Sequence, residues 1–356
     1  MKLRRTYGLV GVDLGSHAIK LAQLERAASG LRLVNVRTII RPQPANDVEG
    51  DTISWWEEAL AGERLDAQFV GQAAACTASA PSAELQLLSL PDGSRSQQRT
   101  MLEGELAAQL AGPLEDYAID FWRIADGNGT STAENIAAAT LAVEDGERIA
   151  EMLRSARLIC KCIEPKPLAT ARAQKLCEPD LNEPVAVLDW GHEQACLSIV
   201  VRGRPRFFRN LRDCGLKRFL NSLMQALELP ASDVRALLST VGLEGPLPAY
   251  AGLAPVREAI ESVAVRPLQA LVIELAKTLN YIAEHRPQLR SHQLRLCGGG
   301  ATIRNIAFRL EERLQRAVHA CRFDALADVG LPPQQAPLFA GALALSSLKW
   351  SNHEDL

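Results

Sequence analysis

The chain opens on an apolar run, Leu9-Val10-Gly11-Val12, whose length and β-branched content predict a buried strand. The run ends in a tight turn, Asp13-Leu14-Gly15-Ser16, and an apolar-rich extended segment resumes from Ala18 to Leu24. Gly30 to Ile40 predicts a third strand after the turn Ala28-Ser29-Gly30. A loop bearing prolines, 41–51, leads to Ser54–Leu65, where Trp55, Leu60 and Leu65 share one helical side. Ser54 and Glu57 stand at the spacing of a capping box. Phe69 to Ala80 is small and apolar, and predicts another buried strand.

A block from about Ser82 to Leu158 has a rhythm of its own. Its apolar spacing predicts a strand at Glu84–Pro91, a helix at Arg95–Leu110, and strands at Asp120–Ile124 and Asn135–Val143 around a glycine-rich loop, 127–130. A helix at Gly146–Ala156 closes it, so the block reads as an inserted α+β module. Cys162-Ile163-Glu164-Pro165 then opens a helical segment to about Leu176. The second half repeats the first. Val185–Leu188 is an apolar run ending in Asp189-Trp190-Gly191, followed by Ala195–Val201, the turn Gly203-Arg204-Pro205 and Arg206–Arg212. A duplicated strand-Asp-x-Gly-strand unit is an architectural signal in its own right. Cys214 to Glu284 carries apolar stripes at helical spacing, such as Leu216, Leu220, Leu223 and Leu227. Gln293–Cys297 predicts a strand that enters Gly298-Gly299-Gly300 ahead of a helix, and Pro337–Leu348 is a helix of small residues.

The chemistry lies where these strands end. Glycine lets a backbone approach a ligand closely, and successive N–H groups in such a turn form an anion-binding concavity. An aspartate beside bound phosphate is repelled unless a cation lies between them, which points to Mg²⁺-phosphate. The turn at Gly298 precedes a helix N-terminus and suits a phosphate or nucleoside.

Bulk properties narrow the class. With 356 residues, 47% hydrophobic and 23% charged, the chain is sized for two soluble domains. A net charge of −3 gives no global field for nucleic acid or an anionic membrane. Eight cysteines, with Cys160 and Cys162 as the one close pair, fit reduced thiols of a cytosolic protein. No apolar run approaches the roughly 18 residues that would argue a membrane span. His285 and His292 have no companion ligands and are taken as surface residues.

Two Asp-x-Gly hairpins, a Glu-Pro segment between them, a late triple glycine and a small-residue terminal helix together resemble the actin-like ATPase superfamily. Within it, GVDLGSHAIKLAQLE and the LSLPDGSRSQQRTMLEGELAAQL segment resemble PilM-type proteins of type IV pilus and related secretion machinery, relatives of FtsA. The resemblance implies an α/β actin-like fold, with two RNase-H-like lobes on five-stranded sheets around a nucleotide cleft and an α+β module inserted in the first. It implies a first lobe at 1–81 and 159–183, the module at 82–158, a second lobe at 184–213 and 291–356, and a helical subdomain at 214–290. It also implies ATP and Mg²⁺ as cofactors. Asp13, Gly15, Ser16 and Lys20 would form the first phosphate motif, Asp189 and Gly191 the second, and Gly298, Gly299 and Gly300 the adenosine motif. Asp13 and Asp189 would hold Mg²⁺ through water, and Glu164 would position the attacking water. The implied role is a cytoplasmic ATP-binding scaffold, with weak or absent hydrolysis. It would be peripheral to the inner membrane and capture the N-terminal cytoplasmic tail of a PilN-like bitopic protein in a groove involving Glu84 to Leu110. Self-association is compatible with that role. Bulky Trp190 and His192 would crowd the γ-phosphate, and Asp213-Cys214-Gly215 lacks the paired glycines usual there. The alternatives are a scaffold that has lost ATP, which these departures favour, and, behind it, a small-molecule kinase of the same superfamily.

Overall fold

The computed structural model describes residues 5–28, 30–42, 52–78, 83–124, 135–211, 213–246, 252–323 and 332–351. The chain begins with β1 (Thr6–Tyr7), β2 (Val10–Leu14), β3 (Ala18–Ala27), β4 (Gly30–Ile40), α1 (Thr52–Leu60) and β5 (Ala73–Ala78). There follow β6 (Ala83–Leu88), α2 (Arg95–Ala107), β7 (Tyr117–Arg123), β8 (Ile136–Ala142), α3 (Val143–Ser155), β9 (Ile159–Pro165) and α4 (Lys166–Cys177). The second half contributes β10 (Val185–Trp190), β11 (Ala195–Val201), β12 (Arg204–Leu211), α5 (Leu216–Leu227), α6 (Ala231–Thr240) and α7 (Ala254–His285). It closes with β13 (Gln293–Cys297), α8 (Ile306–Leu314), β14 (Ala317–Ala320) and α9 (Ala340–Ser347).

The two halves build the same sheet. In the first the order is β4-β3-β2-β5-β9, with the two-residue β1 beside β3 as a sixth strand. In the second it is β12-β11-β10-β13-β14. Each sheet pairs its first three strands antiparallel through short turns and adds its last two in parallel. Parallel neighbours need long crossovers. The stretch holding α1 supplies one in the first half, and α5, α6 and α7 supply its counterpart in the second.

Each sheet also lends its last helix to the other. Helix α4 follows β9 and packs on β10, β11 and β12, whereas α9 packs on β2, β3 and β5. The two helices meet between the sheets. Helix α9 approaches closely because both surfaces are small: a Cβ at Gly11 would lie 1.9 Å from the Ala342 carbonyl oxygen. Leu24 N–H donates to Ser346 Oγ at 2.8 Å, which ties the helix to β3.

The module has a sheet of order β6-β8-β7 and a small core of its own, including Leu90, Leu102, Leu106, Phe121 and Ile136. Helix α3 does not share that core. Its Ile149, Met152 and Leu153 pack with Val10, Leu14 and Leu60 of the first lobe, so the stretch 82–158 divides after β8.

Several local expectations change. Cys162 to Pro165 is the end of strand β9, pairing with β5, and the helix starts one residue later. Strand β14 is too short and mixed for its pattern to announce it. Ser54 lies inside the first turn of α1 and meets Arg148 Nη2 at 3.3 Å. A capping box does form at Ser94 and Gln97, ahead of α2. The glycine-rich loop 127–130, most of the loop 41–51 and the tail from 352 lie outside the described residues.

Candidate functional site

A cleft of about 780 Å³ opens between the hairpin turns after β2 and β10, the turn after β13 and the first turn of α4. Gly15, Ser16, Lys20, Asp189, Gly191, Gly298 and Gly299 line it. The three turns follow the carboxyl ends of parallel strands, where open α/β sheets place their ligands. The glycines are required by space. A Cβ at Gly15 would lie 2.7 Å from Ala18 O, and one at Gly191 would lie 2.8 Å from Gln194 O. At Gly298 the backbone is left-handed (φ +78°), and a Cβ would meet Asp189 Oδ1 at 2.3 Å.

The charges are arranged beneath these turns. Asp13, 3% exposed, receives Lys20 Nζ at 3.2 Å and the Thr77 hydroxyl at 3.1 Å. Lys166, the first residue of α4, places its Nζ 3.7 Å from Asp13 Oδ1 and 3.2 Å from Asp189 Oδ2. One ammonium thus bridges the aspartates of both sheets. Burial would raise the Asp13 carboxyl, but Lys166, Lys20 and the hydrogen bonds from Lys20 and Thr77 outweigh it and hold the group at about 2. Burial works against the Lys166 ammonium, and the two aspartates overcome it and raise its pKa. Asp189 Oδ1 is buried without a hydrogen-bond partner. Among the described residues no three His, Cys, Asp or Glu side chains gather to hold a metal. Where the resemblance implied Mg²⁺, the two aspartates face an ammonium. This donor set does not fit a divalent ion.

Other expected residues fall elsewhere. Glu164 is buried outside the cleft lining, and its two carboxylate oxygens accept from Arg172 Nη1 and Nη2 at 2.7 and 3.1 Å. At the end of β9 Glu164 is held by Arg172 of α4, and the first turn of that helix brings Lys166 and Pro167 to the cleft instead. Gly300 is buried beneath the turn: a Cβ there would lie 2.2 Å from the Trp190 ring. Trp190 itself does not crowd the cleft. Its indole packs against Phe219 and donates from Nε1 to Cys214 O at 2.9 Å.

His192 does line the cleft, stacked on His17 with ring centroids 4.5 Å apart, so the hairpins of the two halves touch there. Burial, with Arg235 nearby, lowers His17 to about 4 and His192 to about 3, which keeps both rings neutral near pH 7. At the start of α5 the first amides are already used. Leu216 N–H donates to Gly191 O at 2.9 Å and Lys217 N–H to His192 O at 2.8 Å.

No protein-family model matches the chain. No curated protein matches its sequence. Solved structures do match. The PilM-PilN type IV pilus biogenesis complex aligns with a TM-score of 0.76 at 19% identity, over 97% of this chain and 99% of that one. The chain has the actin-like ATPase fold, built as in PilM. The ethanolamine utilization protein EutJ from Carboxydothermus hydrogenoformans aligns at TM-score 0.52 and 12% identity, over 97% of this chain and 91% of that one. The MamK double helical filament aligns at 0.51 and 11%, over 97% and 99%.

Within this actin-like fold, sequence reasoning missed Lys166 and His17 as cleft residues and Thr77 as the buried partner of Asp13. Lys166 carried a usable signal. It is a basic residue between Pro165 and Pro167, directly after a strand that ends level with β2 and β5. Thr77 carried none, because only the register of β5 against β2 sets it opposite Asp13.

Proposed function

We propose that this protein is a nucleotide-binding scaffold with weak or absent turnover, which docks the cytoplasmic tail of a bitopic inner-membrane protein of a type IV pilus or related secretion assembly. The observation that carries the reading is the duplicated hairpin pair closing on one cleft. Two glycine turns with lysines beneath them suit a polyphosphate, and a third turn at Gly298 suits the nucleoside. ATP is the ligand that this division favours. Weak turnover follows from Glu164, whose carboxylate is spent on Arg172 outside the cleft.

The tail would lie in a second pocket of about 250 Å³, between the module, the first lobe and the β11–β12 turn. Its walls are apolar (Leu31, Trp122, Ile124, Leu168), with Arg26, Lys175 and Arg202 among its lining residues. That chemistry suits a short apolar segment flanked by acidic residues. No residue between 84 and 110 lines it. The module contributes Trp122, Ile124 and Ala137 from the end of β7 and from β8 instead, while Glu84 and Leu85 line the cleft. No described helix is long and apolar enough to cross a membrane, so the partner would provide the attachment.

Calorimetric titration with ATP tests the cleft. Saturable binding is expected, with at least tenfold weaker affinity in Ser16→Glu, which sets a carboxylate in the turn, and unchanged affinity in Trp122→Ala. Equal binding by the parent and Ser16→Glu would place any nucleotide elsewhere.

A further inference from the structure

The two aspartates come from different sheets and are both nearly excluded from water, at 3% and 5% exposure. Buried carboxylates facing one another need a cation between them. In a nucleotide cleft that cation is ordinarily sought outside the chain, as a metal ion. Here the chain brings its own. The Lys166 Nζ lies 3.7 Å from Asp13 Oδ1 and 3.2 Å from Asp189 Oδ2, and Lys20 covers the remaining Asp13 oxygen at 3.2 Å.

The charge count closes without a metal: two carboxylates face two ammonium groups. A divalent ion added to this cluster would be two charges in excess, at a few ångströms from Nζ in a poorly screened site. The coordination is lacking as well. Mg²⁺ asks for a near-octahedral set of oxygens at about 2.1 Å, whether from carboxylates directly or from waters that free carboxylate oxygens hold. Three of the four aspartate oxygens already face an ammonium or hydroxyl group. The fourth, Asp189 Oδ1, is capped by the Gly298 backbone, where even a Cβ would lie 2.3 Å away. An ammonium group carries three donors. One is within hydrogen-bond distance of Asp189 Oδ2 at 3.2 Å, Asp13 Oδ1 at 3.7 Å is held by charge, and the Lys166 side chain remains 21% exposed in the cleft, where a further donor can meet an anion.

We propose that the Lys166 ammonium, and not a divalent metal ion, is the cation that joins the two hairpin aspartates, and that the cleft takes a polyphosphate without metal. The first half concerns the chain alone, and the second rests on the nucleotide reading above.

Mn²⁺ alone, titrated into the nucleotide-free protein and followed by the electron paramagnetic resonance of the free ion, tests the first half. The parent should bind no Mn²⁺ at the cleft at millimolar concentration. Lys166→Ala should bind one ion at least tenfold more tightly, and adding Asp189→Asn should abolish that site. Lys166→Gln serves if the alanine variant does not fold. One equivalent bound by the parent and lost in Asp189→Asn overturns the proposal. So does a folded Lys166 variant that binds no better than the parent.

Calorimetry with ATP in EDTA against ATP in excess Mg²⁺ tests the second half. The parent's affinities should agree within about twofold, and a tenfold loss in EDTA overturns that half. Absence of ATP binding in both buffers would overturn the nucleotide reading, and with it this half of the proposal. The Mn²⁺ titration would still decide the role of the lysine.

Discussion

The two hairpins have one backbone and different polar partners. At each turn a glycine sits against the carbonyl three residues on, and the glycine's own carbonyl is capped. Trp56 Nε1 caps Gly15 at 3.0 Å, and Leu216 N–H caps Gly191 at 2.9 Å. Beside the aspartates the likeness ends. Asp13 stands opposite Lys20 on β3 and Thr77 on β5, and both side chains bond to it. At the same two positions Asp189 faces Cys196 on β11 and Cys297 on β13. Neither cysteine can replace a cation, and Oδ1 stays without a hydrogen-bond partner. The first sheet neutralises its own aspartate, and the second relies on Lys166 from the first half. A repeated topology can thus be preserved while its charges become shared, and that sharing ties the two halves together at the cleft.

The largest effect is expected where the exchanged helices pack. Two residues before each aspartate stand Gly11 and Val187, both fully or almost fully enclosed by the helix that crosses from the other half. Helix α4 leaves room for valine, and α9 leaves none. Gly11→Val should therefore cost about 3 kcal/mol or more, above the usual overpacking range because the obstacle is backbone. Urea unfolding midpoints measure it. A loss under about 1 kcal/mol would mean that the two crossing helices lie at similar distances from their sheets.

A smaller effect separates the carboxylates in acid. Asp13 has its pKa lowered from 3.8 to about 2, so the folded state favours its ionised form. The contribution is complete above about pH 4 and disappears as the pH falls through about 2. A shift of this size is worth about 2 kcal/mol. Asp13→Asn should be less stable than the parent by that amount at pH 6, with the gap closing steadily toward pH 2. A gap that does not change with pH would mean that its origin is packing and not charge.

The same comparison shows what the sequence could convey. The duplicated hairpins were legible because β2 and β10 are continuous apolar runs, each ending in Asp-x-Gly, and such a pattern is local. The sharing of charge was not, because Lys166 meets its aspartates across 153 and 23 positions of chain, and nothing in the local pattern specifies that approach. Trp190 misled for a related reason. Its place after Asp189 put it near the cleft, but its side chain points to the face where Phe219 and Gly300 make room for it. Glu164 misleads because the run Cys162–Pro165 reads as the opening of a helix, whereas the strand persists through Pro165 and the helix begins at Lys166.

The smallest effect is the one that would make the second hairpin more like the first. Cys297 is buried opposite Asp189 in the register that Thr77 occupies opposite Asp13. Cys297→Thr would set a hydroxyl where the first sheet has one, beside the Asp189 carboxylate, whose Oδ1 has no hydrogen-bond partner. A hydrogen bond to a charged group contributes about 1.5–3 kcal/mol, and the loss of the well-packed thiol offsets part of that. A net gain of about 1 kcal/mol is expected, seen as a higher thermal midpoint. The reverse exchange, Thr77→Cys, should cost at least as much, since it leaves Asp13 Oδ1 with only the more distant Lys166. If Thr77→Cys is destabilising and Cys297→Thr is neutral, Asp189 Oδ1 does not face β13 as Asp13 Oδ1 faces β5. The two aspartates would then be alike in sequence position alone.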